Sequence, residues 1–343
     1  MAVWYSLIAV LALVLIAFLG AGVLGLQVVF GVLLPYAAIL LFIVGFIYRV
    51  VDWARSPVPF RIPTTAGQQY TLPWIKSDQL DNPHNTWGVV KRMVLEILFF
   101  RSLFRNTKTE LQDGKLAYGS SKWLWLAGIA FHYSFLIIVI RHLRFFTEPL
   151  PALVHHIEVV DSILQIGVPV LYQTDVLFLA AVSYLFLRRV VIPQLRYISL
   201  PADYFALFLI LGIGVSGVVM RYFTKVDVMS VKVLTMGLAT FRPHIPEDPI
   251  GVAFYIHLFL VCILLAYFPF SKLMHMGGVF LSPTRNLANN NRMKRHVNPW
   301  NYPVKVHKYE AYEDEFREHM VNAGLPVEKP LERKTAEQAE HKE

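Results

Sequence analysis

Residues 3–48 contain no charged side chain, and this feature constrains the fold more than any other. A helix needs roughly 20 apolar residues to cross the hydrocarbon core of a bilayer, so the run is long enough for two crossings. The glycine-rich stretch at 20–27 marks the turn between them. A cleaved signal peptide is the alternative for residues 1–25, but the absence of a positively charged n-region favours a retained span.

Four further apolar segments follow, and the charged residues lie between them. Only 16% of the residues are charged, whereas soluble domains average about 25%. The sequence therefore predicts an all-α integral membrane protein that forms a six-helix transmembrane bundle. Its last four spans are expected at 123–140, 168–187, 204–220 and 251–270.

The lysines and arginines lie mainly on one side of the predicted membrane. Of the 32 in the chain, 26 fall in the loop 49–122, the connector 188–202 and the tail after residue 271. Because basic residues concentrate on the cytoplasmic side of membrane proteins, both termini are expected in the cytoplasm, with the bundle in the inner (cytoplasmic) cell membrane. The net charge of +8 then reflects topology, and no nucleic-acid binding is predicted.

This topology divides the chain into four regions. They are two N-terminal transmembrane helices at 1–48, a cytoplasmic loop at 49–122, a four-helix core at 123–280 and a cytoplasmic tail at 281–343. Within the loop, Trp87, Val90, Val94 and Ile97 share one face of an amphipathic helix, which is typical of a helix that lies on the membrane surface.

The tail contains a second short helical pattern. Tyr309, Tyr312, Phe316 and Met320 share one face of it. We interpret this face either as a docking surface for a partner protein or as a face that packs back on the 49–122 loop. From Lys329 onward the chain is charged and lacks apolar periodicity, which predicts disorder.

Four histidines lie in or at the ends of two predicted spans, where ionisable residues are rare and point to function. His132 and His142 belong to the third span, and His257 and His275 to the sixth, which runs in the opposite direction. His132 and His275 therefore lie toward the cytoplasm, and His142 and His257 toward the outer face. Because haem iron accepts two axial imidazoles, two b haems are predicted, an inner one on His132 and His275 and an outer one on His142 and His257.

The spacing of these histidines also raises a geometric problem. Continuous helix would separate His132 from His142 by about 15 Å and His257 from His275 by about 27 Å, so either the helices tilt or the haems lie off-level. The alternatives to haem are hydrogen bonds between helices and a His-lined metal or proton pathway. The single cysteine, Cys262, excludes a disulfide framework, a Cys-ligated zinc site, an iron–sulfur cluster and c-type haem.

Charged residues flank both histidine pairs. Arg141 and Arg144 lie beside the outer pair and Lys272 beside the inner pair, as candidate partners of the haem propionates. Arg221 ends the fifth span and is interpreted first as a topological charge, with a propionate or quinone contact as the alternatives. Asp175 is interpreted as the N-cap of the fourth span, with a proton acceptor near the outer haem as the alternative.

Three sequence strings carry a resemblance to known families. The histidines 10 and 18 residues apart, with PFSKLMH at 269–275, resemble the membrane cytochrome b (gamma) subunit of respiratory nitrate reductase. FRIPTT at 60–65 and SPTRNLANNNRMKRHVNPWN at 282–301 resemble the DsrM family more closely. DsrM proteins are the cytochrome b subunits of the DsrMKJOP complexes of sulfur-metabolising prokaryotes.

The resemblance implies a di-haem b protein that exchanges electrons with menaquinone, with the four histidines above as ligands. It implies a cytoplasmic iron–sulfur partner similar to DsrK, further partners similar to DsrJ, DsrO and DsrP, and electron transfer toward the DsrC trisulfide formed during sulfite reduction. By analogy with the nitrate reductase relative, quinol would be oxidised at the outer haem.

These patterns favour an electron-transfer subunit: the quinone-reactive membrane part of an oxidoreductase complex, which is not a complete enzyme alone. The chain has no cysteines for a cluster and no nucleotide-binding motif, so a partner must complete any two-electron reduction. The alternatives are a transporter that uses the histidines as a proton relay, and a cofactor-free membrane anchor of a redox complex.

Overall fold

The computed structural model describes residues 1–56, 69–162, 169–291, 293 and 307–331. The string at 60–65, much of the string at 282–301 and the tail beyond residue 331 lie outside the described residues. The chain separates into two compact units, one of residues 1–56 and 60–296, and one of residues 57–59 and 297–343.

The first unit is mainly helical. Its helices are α1 (Ala2–Ala17), α2 (Leu34–Arg55), α3 (Thr86–Phe99), α4 (Arg101–Arg105), α5 (Lys122–His142), α6 (Ala152–Asp161), α7 (Gln173–Val191), α8 (Pro193–Ile198), α9 (Pro201–Val218), α10 (Val228–Ala239), α11 (Val252–Tyr267) and α12 (His275–Gly278). The described part of the second unit contains one helix, α13 (Tyr309–Asn322).

Five helical segments in the described part of the chain are long and apolar enough to cross a membrane. They are Ala2–Val23, Val29–Arg55, Lys122–Phe145, Pro201–Thr224 and Val252–Phe270. They confirm an α-helical membrane protein, and they correspond to five of the six predicted spans.

The expected fourth span is the exception. Helix α7 begins at Gln173, bears Asp175 in its first turn, and bears Arg188 and Arg189 in its last turn. Its uncharged stretch at 176–187 is shorter than the roughly 20 residues that a crossing needs. Helix α7 packs against α5 and α9 and so completes the bundle, but the six-span prediction is confirmed for five spans only.

The first two spans form a hairpin whose turn lies at the glycine-rich stretch. Helix α1 continues as a π-helix over Phe18–Val23, and Gly25 adopts a φ of +67°, a conformation that favours glycine. The Gln27 side chain donates to the backbone carbonyl of Ala21 at 3.0 Å. The turn therefore satisfies a carbonyl at the end of the first span.

The 49–122 region adds a small two-stranded sheet to an otherwise helical architecture that agrees with the all-α prediction. Strands β1 (Thr107–Gln112) and β2 (Lys115–Ser120) pair antiparallel. The two residues between them, Asp113 and Gly114, have φ values of 50° and 76°, as a type I′ turn requires. An Asp-Gly pair is the sequence signal for such a hairpin, so this element was predictable in principle.

Helix α3 presents its apolar stripe outward. Asn85 caps its N-terminus by accepting from Gly88 N–H at 2.8 Å. Trp87, and the rest of the predicted stripe, is exposed, whereas Arg92 and Glu96 on the other side are buried. Arg92 donates to the Thr284 carbonyl at 3.1 Å. The polar side of the helix therefore faces protein, and the apolar side is left for another surface.

The tail helix α13 is held within its own unit by one buried carboxylate. Glu313 accepts hydrogen bonds from the backbone N–H groups of Glu328 and Lys329 and ion-pairs with Arg317. The hydrogen bond from Glu328 N–H, followed by the others, holds the pKa of Glu313 below its usual range. Tyr309, Tyr312 and Phe316 are exposed in this unit.

A buried ion cluster joins helices α5, α6 and α7. Arg141, at the end of α5, lies with its Nε 3.1 Å from Asp161 Oδ2 and its Nη2 2.5 Å from Asp175 Oδ1. The Arg141 guanidinium also stacks 3.7 Å from the centre of the Tyr172 ring. Such a cluster fixes the relative positions of three helices, because removing one member leaves an uncompensated buried charge.

This cluster corrects the interpretation of Asp175 as an N-cap. The cap position of α7 is Tyr172, and the Asp175 carboxylate instead accepts from Arg141 and Tyr222. Asp161 supplies the missing cap from another helix, because it accepts from Thr174 N–H at 2.9 Å and from Thr174 Oγ1 at 2.6 Å.

Replacing Arg141 with alanine will lower the free energy of unfolding by about 3–5 kcal/mol, because Asp161 and Asp175 lose their buried counter-ion. Arg144→Ala is the matched control. Among the described residues Arg144 forms an ion pair with Glu158, and its side chain is 38% exposed, so its loss will cost less than about 1 kcal/mol. Unfolding of the purified chain in detergent measures both, and equal losses would contradict a structural role for the cluster.

Candidate functional site

The inner histidine pair meets beside the middle of α5. His132 lies within α5 and His275 begins α12. The centres of their imidazole rings are 6.0 Å apart and the ring planes are 84° apart. The structure thus brings together the two histidines that the depth estimate assigned to the cytoplasmic side.

The outer pair meets at the C-terminal end of α5. His142 is the last residue of α5, and His257 lies in the second turn of α11. Their ring centres are 6.3 Å apart and the ring planes are 12° apart. Both pairs therefore share helix α5; His257 lies on α11, and His275 lies on the short helix α12 that follows it.

A helix break between His257 and His275 explains how the two pairs form although continuous helices would separate the histidines by unequal distances. Helix α11 ends at Tyr267, and a 3₁₀ turn that contains Pro269 follows. Ser271 is fully extended, and a second 3₁₀ turn leads to His275. Because proline cannot continue the hydrogen-bond pattern of a helix, the 18 residues from His257 to His275 are not one continuous helix, and the 27 Å rise does not apply.

The four rings are oriented by hydrogen bonds at Nδ1. The acceptors are Gly128 O for His132 at 2.7 Å, Ile138 O for His142 at 2.7 Å, Lys272 O for His275 at 2.9 Å and Ser216 Oγ for His257 at 2.9 Å. A neutral imidazole that donates from Nδ1 carries its lone pair on Nε2. Within the described ranges, no hydrogen bond engages the Nε2 of any of these rings. The four Nε2 atoms are therefore available as metal ligands.

The spacing of the rings fits a haem iron between each pair. An imidazole nitrogen bonds to a transition metal at about 2 Å, and the ring centre lies about 1 Å behind it, so a shared metal sets the two ring centres roughly 6 Å apart. The observed 6.0 and 6.3 Å match this value. Among the described residues, no three His, Cys, Asp or Glu side chains group as ligands of a simple metal ion, whereas a haem iron needs only two protein ligands.

Aromatic rings enclose the inner pair. Phe100 and Phe131 each make an edge-to-face contact with His132, with ring centres 5.0 Å apart. Phe100 lies at the junction of α3 and α4 in the left-handed conformation, with a φ of 49°. The surface helix α3 therefore ends beside the candidate inner site. Sequence reasoning missed Phe100, because only the fold brings this loop residue near α5.

The arginines expected near the outer pair already interact with other groups of the protein. Arg141 lies in the buried ion cluster, and Arg144 pairs with Glu158 at 3.0 Å. Arg221 donates to the Val170 carbonyl at 3.1 Å and stacks 4.2 Å from the centre of the Tyr172 ring. These positions give each arginine a structural partner among the described residues.

His275 of the inner pair lines a cavity whose wall also includes two basic side chains, Arg49 and Lys272. This cavity encloses about 450 Å³ and is bounded by Arg49, Trp53, Lys272 and His275, among others. Lys272 pairs with Asp203 at 2.8 Å. Arg49 Nε is buried and has no hydrogen-bond partner among the described residues. Such a cation suits an anionic group such as a haem propionate.

Arg49 is a candidate site residue that the sequence did not suggest. It is the first charged residue after the uncharged run, and it was counted only as a topological charge. Its proximity to His275 depends on how α2 packs along α11, which neither composition nor spacing reveals.

Comparison with known proteins places these features in a family. Residues 86–295 match the family model described as nitrate reductase gamma subunit, and this range includes all four histidines. The chain is 49% identical over 279 residues to the Hdr-like menaquinol oxidoreductase cytochrome b-like subunit of Archaeoglobus fulgidus, covering 80% of this chain and 83% of that protein. It is 46% identical over 273 residues to the protein of the same description from Archaeoglobus profundus, covering 78% and 81%. The chain therefore belongs to the nitrate reductase gamma subunit family of membrane proteins.

Proposed function

We propose that this chain is a membrane cytochrome b subunit that holds two b haems and transfers electrons between menaquinol and a cytoplasmic iron–sulfur partner. The observation that carries the proposal is the two pairs of facing imidazoles, His132 with His275 and His142 with His257, which lie on α5, α11 and α12. When bound, haem iron supplies one-electron redox chemistry. His132 and His275 would hold the inner group, and His142 and His257 the outer one.

The chain's own residues contribute orientation and charge at each site. The backbone carbonyls of Gly128 and Ile138, one turn before each histidine of α5, fix the rings of His132 and His142. At the inner site Arg49 and Lys272 line the cavity beside His275 and would bind the propionates. At the inner site Arg49 thus comes from α2 and the histidines from α5 and α12, which makes this site depend on the assembled bundle.

Menaquinol is proposed as the electron donor and is expected to react beside the outer pair. The relatives are described as menaquinol oxidoreductase subunits. At this end of the bundle, Tyr222 donates to Asp175 Oδ2 at 3.2 Å, and Asp175 pairs with the buried Arg141. This polar cluster would carry quinol protons toward the outer surface.

We further propose that the chain is a DsrM-like subunit of a sulfur-metabolising complex. The strings at 60–65 and 282–301 support this assignment, and the relatives are described as Hdr-like. Its single cysteine, Cys262, is buried in α11, so a two-electron reduction such as that of the DsrC trisulfide needs a partner. That partner would be a DsrK-like iron–sulfur subunit at the cytoplasmic side, with DsrJ-, DsrO- and DsrP-like subunits in the same complex.

The two alternatives from the sequence receive less support. A proton relay needs acids along a path across the bundle, but Asp161 and Asp175 both pair with Arg141 at one end of α5, and Asp203 of α9 pairs with Arg189 and Lys272. A cofactor-free anchor has no need for four imidazoles whose Nε2 atoms are all left available.

Purified chain from cells with ample haem supply will contain about two haems b by the pyridine haemochrome assay, because two bis-imidazole sites are present. The angle between imidazole planes is 84° at the inner pair and 12° at the outer pair. Since this angle sets the g anisotropy of low-spin ferric haem, electron paramagnetic resonance will separate the two species. His142→Ala will remove the near-parallel species only, and His275→Ala the near-perpendicular species only.

The matched control for these variants is His155→Ala, because His155 is an exposed histidine of α6 with no part in either pair. It will retain both haems. Colourless wild-type protein would overturn the proposed function, and loss of the same species in His142→Ala and His275→Ala would overturn the pairing.

Replacing Arg49 with glutamine will lower the midpoint potential of the inner haem by roughly 50 mV, because a nearby cation stabilises the reduced iron, which carries one positive charge fewer. The outer haem will keep its potential. Arg55→Gln removes an arginine of the same helix that lies outside the cavity and serves as the control. A redox titration measures both potentials, and equal shifts in the two variants would exclude a specific contact.

A further inference from the structure

A second cavity lies between α1, α9 and α11. It reaches Ser216, whose Oγ contacts the Nδ1 of His257. This groove, here called the Ser216 groove, encloses about 400 Å³, within the range of small-molecule sites of roughly 300–1,000 Å³. Its lining includes Leu11 and Val14 of α1, Val215 of α9 and Ile256 of α11, and Ser216 is its one residue with a polar side chain.

The groove is formed by three helices that are long and apolar enough to span the membrane. Along α1 its lining runs from Leu7 to Val14, a rise of about 10 Å. An apolar channel of this length within the bilayer suits a hydrocarbon chain, and it offers no counter-charge for an ionic ligand.

Ser216 joins this groove to the candidate outer ligand. Its Oγ lies 2.9 Å from His257 Nδ1 and donates to the Ile213 carbonyl at 3.0 Å. A hydroxyl has one donor and two acceptor lone pairs. After accepting from His257 and donating to Ile213, Ser216 Oγ retains one lone pair for a hydroxyl donor in the groove.

We propose that the Ser216 groove is the menaquinol-binding site, with the isoprenoid tail along α1 and one quinol hydroxyl donating to Ser216 Oγ. The site rests on the proposed function, because menaquinol enters from the description of the relatives and from the assigned outer pair. A quinol combines the two properties that the groove selects, a long apolar chain and a terminal hydroxyl donor. A phospholipid acyl chain would fill the apolar part but would leave the serine lone pair without a donor.

The position of α1 makes this site distinct from the family's shared core. Helix α1 precedes the region that matches the family model, which begins at residue 86. The first span therefore has a role beyond anchoring, because it forms one wall of the proposed substrate site.

The test compares two tryptophan variants of α1 in the purified, haem-loaded chain. Leu11→Trp fills the groove, whereas Ile8→Trp adds the same bulk at a residue outside it; both native side chains are exposed, at 56% and 62%. Binding of the quinol analogue 2-heptyl-4-hydroxyquinoline N-oxide is followed by quenching of its fluorescence. Leu11→Trp will weaken binding by more than about tenfold, because the added ring overlaps the ligand, and Ile8→Trp will bind like wild type.

Ser216 is tested by a second pair of variants. Ser216→Ala removes one hydrogen bond and will weaken binding about three- to tenfold, and Ser216→Thr, which retains the hydroxyl, will restore it. The rate at which short-chain menaquinol reduces the haems will fall in parallel. A photoreactive azido-quinone will label wild-type residues 7–14 or 208–219, which provides a readout even where a variant fails to fold.

The possible outcomes distinguish failure of the proposed menaquinol site from failure of the proposed function. If menaquinol reduces the wild-type haems but Leu11→Trp binds the analogue as wild type does, the proposed site is wrong and the proposed function stands. A phospholipid that copurifies and resists displacement by the analogue would equally overturn the site. If wild-type haems are reduced by dithionite but not by menaquinol, the proposed function itself fails.

Discussion

The candidate site depends on the direction in which four imidazoles point. Each Nδ1 is held by an acceptor of the bundle: three are backbone carbonyls, and the fourth is the Ser216 hydroxyl. Because the second ring nitrogen is thereby left with its lone pair, each helix supplies ligands without further adjustment. The rings of α5 take carbonyls one turn earlier in the same helix, so their orientation is as rigid as the helix itself. This preorganisation holds the four imidazoles as two facing pairs, which is the arrangement that the proposed haem sites require.

The sequence predicted which histidines meet, because helix direction and a fixed rise per residue are enough to set depth in a bilayer. It did not predict how His275 reaches the level of His132, since the rise was calculated for continuous helix from His257 to His275 and the break at Pro269 was not recognised. It also missed Asp161, which lies outside the predicted spans and approaches Arg141 only when α6 folds back. Charge identity is visible in a sequence, whereas the partner of each charge depends on the path of the loops.

The two N-terminal helices precede the matched family region, yet both contact the candidate sites. Helix α2 places Arg49 in the cavity beside His275, and α1 forms a wall of the Ser216 groove behind His257. Glycines allow these close approaches: a Cβ at Gly277 would lie 3.2 Å from the Phe46 ring of α2, and a Cβ at Gly22 would lie 2.8 Å from Val252 of α11. The added hairpin therefore extends the four-helix core at both ends instead of lying apart from it in the bilayer.

The distribution of charge favours electron transfer from the outer to the inner pair under the proposed function. At the outer end the buried cation Arg141 is balanced by Asp161 and Asp175, and Arg144 is balanced by Glu158. At the inner end the Nε of Arg49 is buried without a hydrogen-bond partner among the described residues, and Lys272 shares Asp203 with Arg189. A cation that is not neutralised stabilises the reduced state of a nearby redox centre, because reduction removes one positive charge. Under the proposed function, Arg49 and Lys272 would stabilise a reduced inner haem, so electrons that enter from menaquinol beside His257 would move toward the cytoplasmic partner.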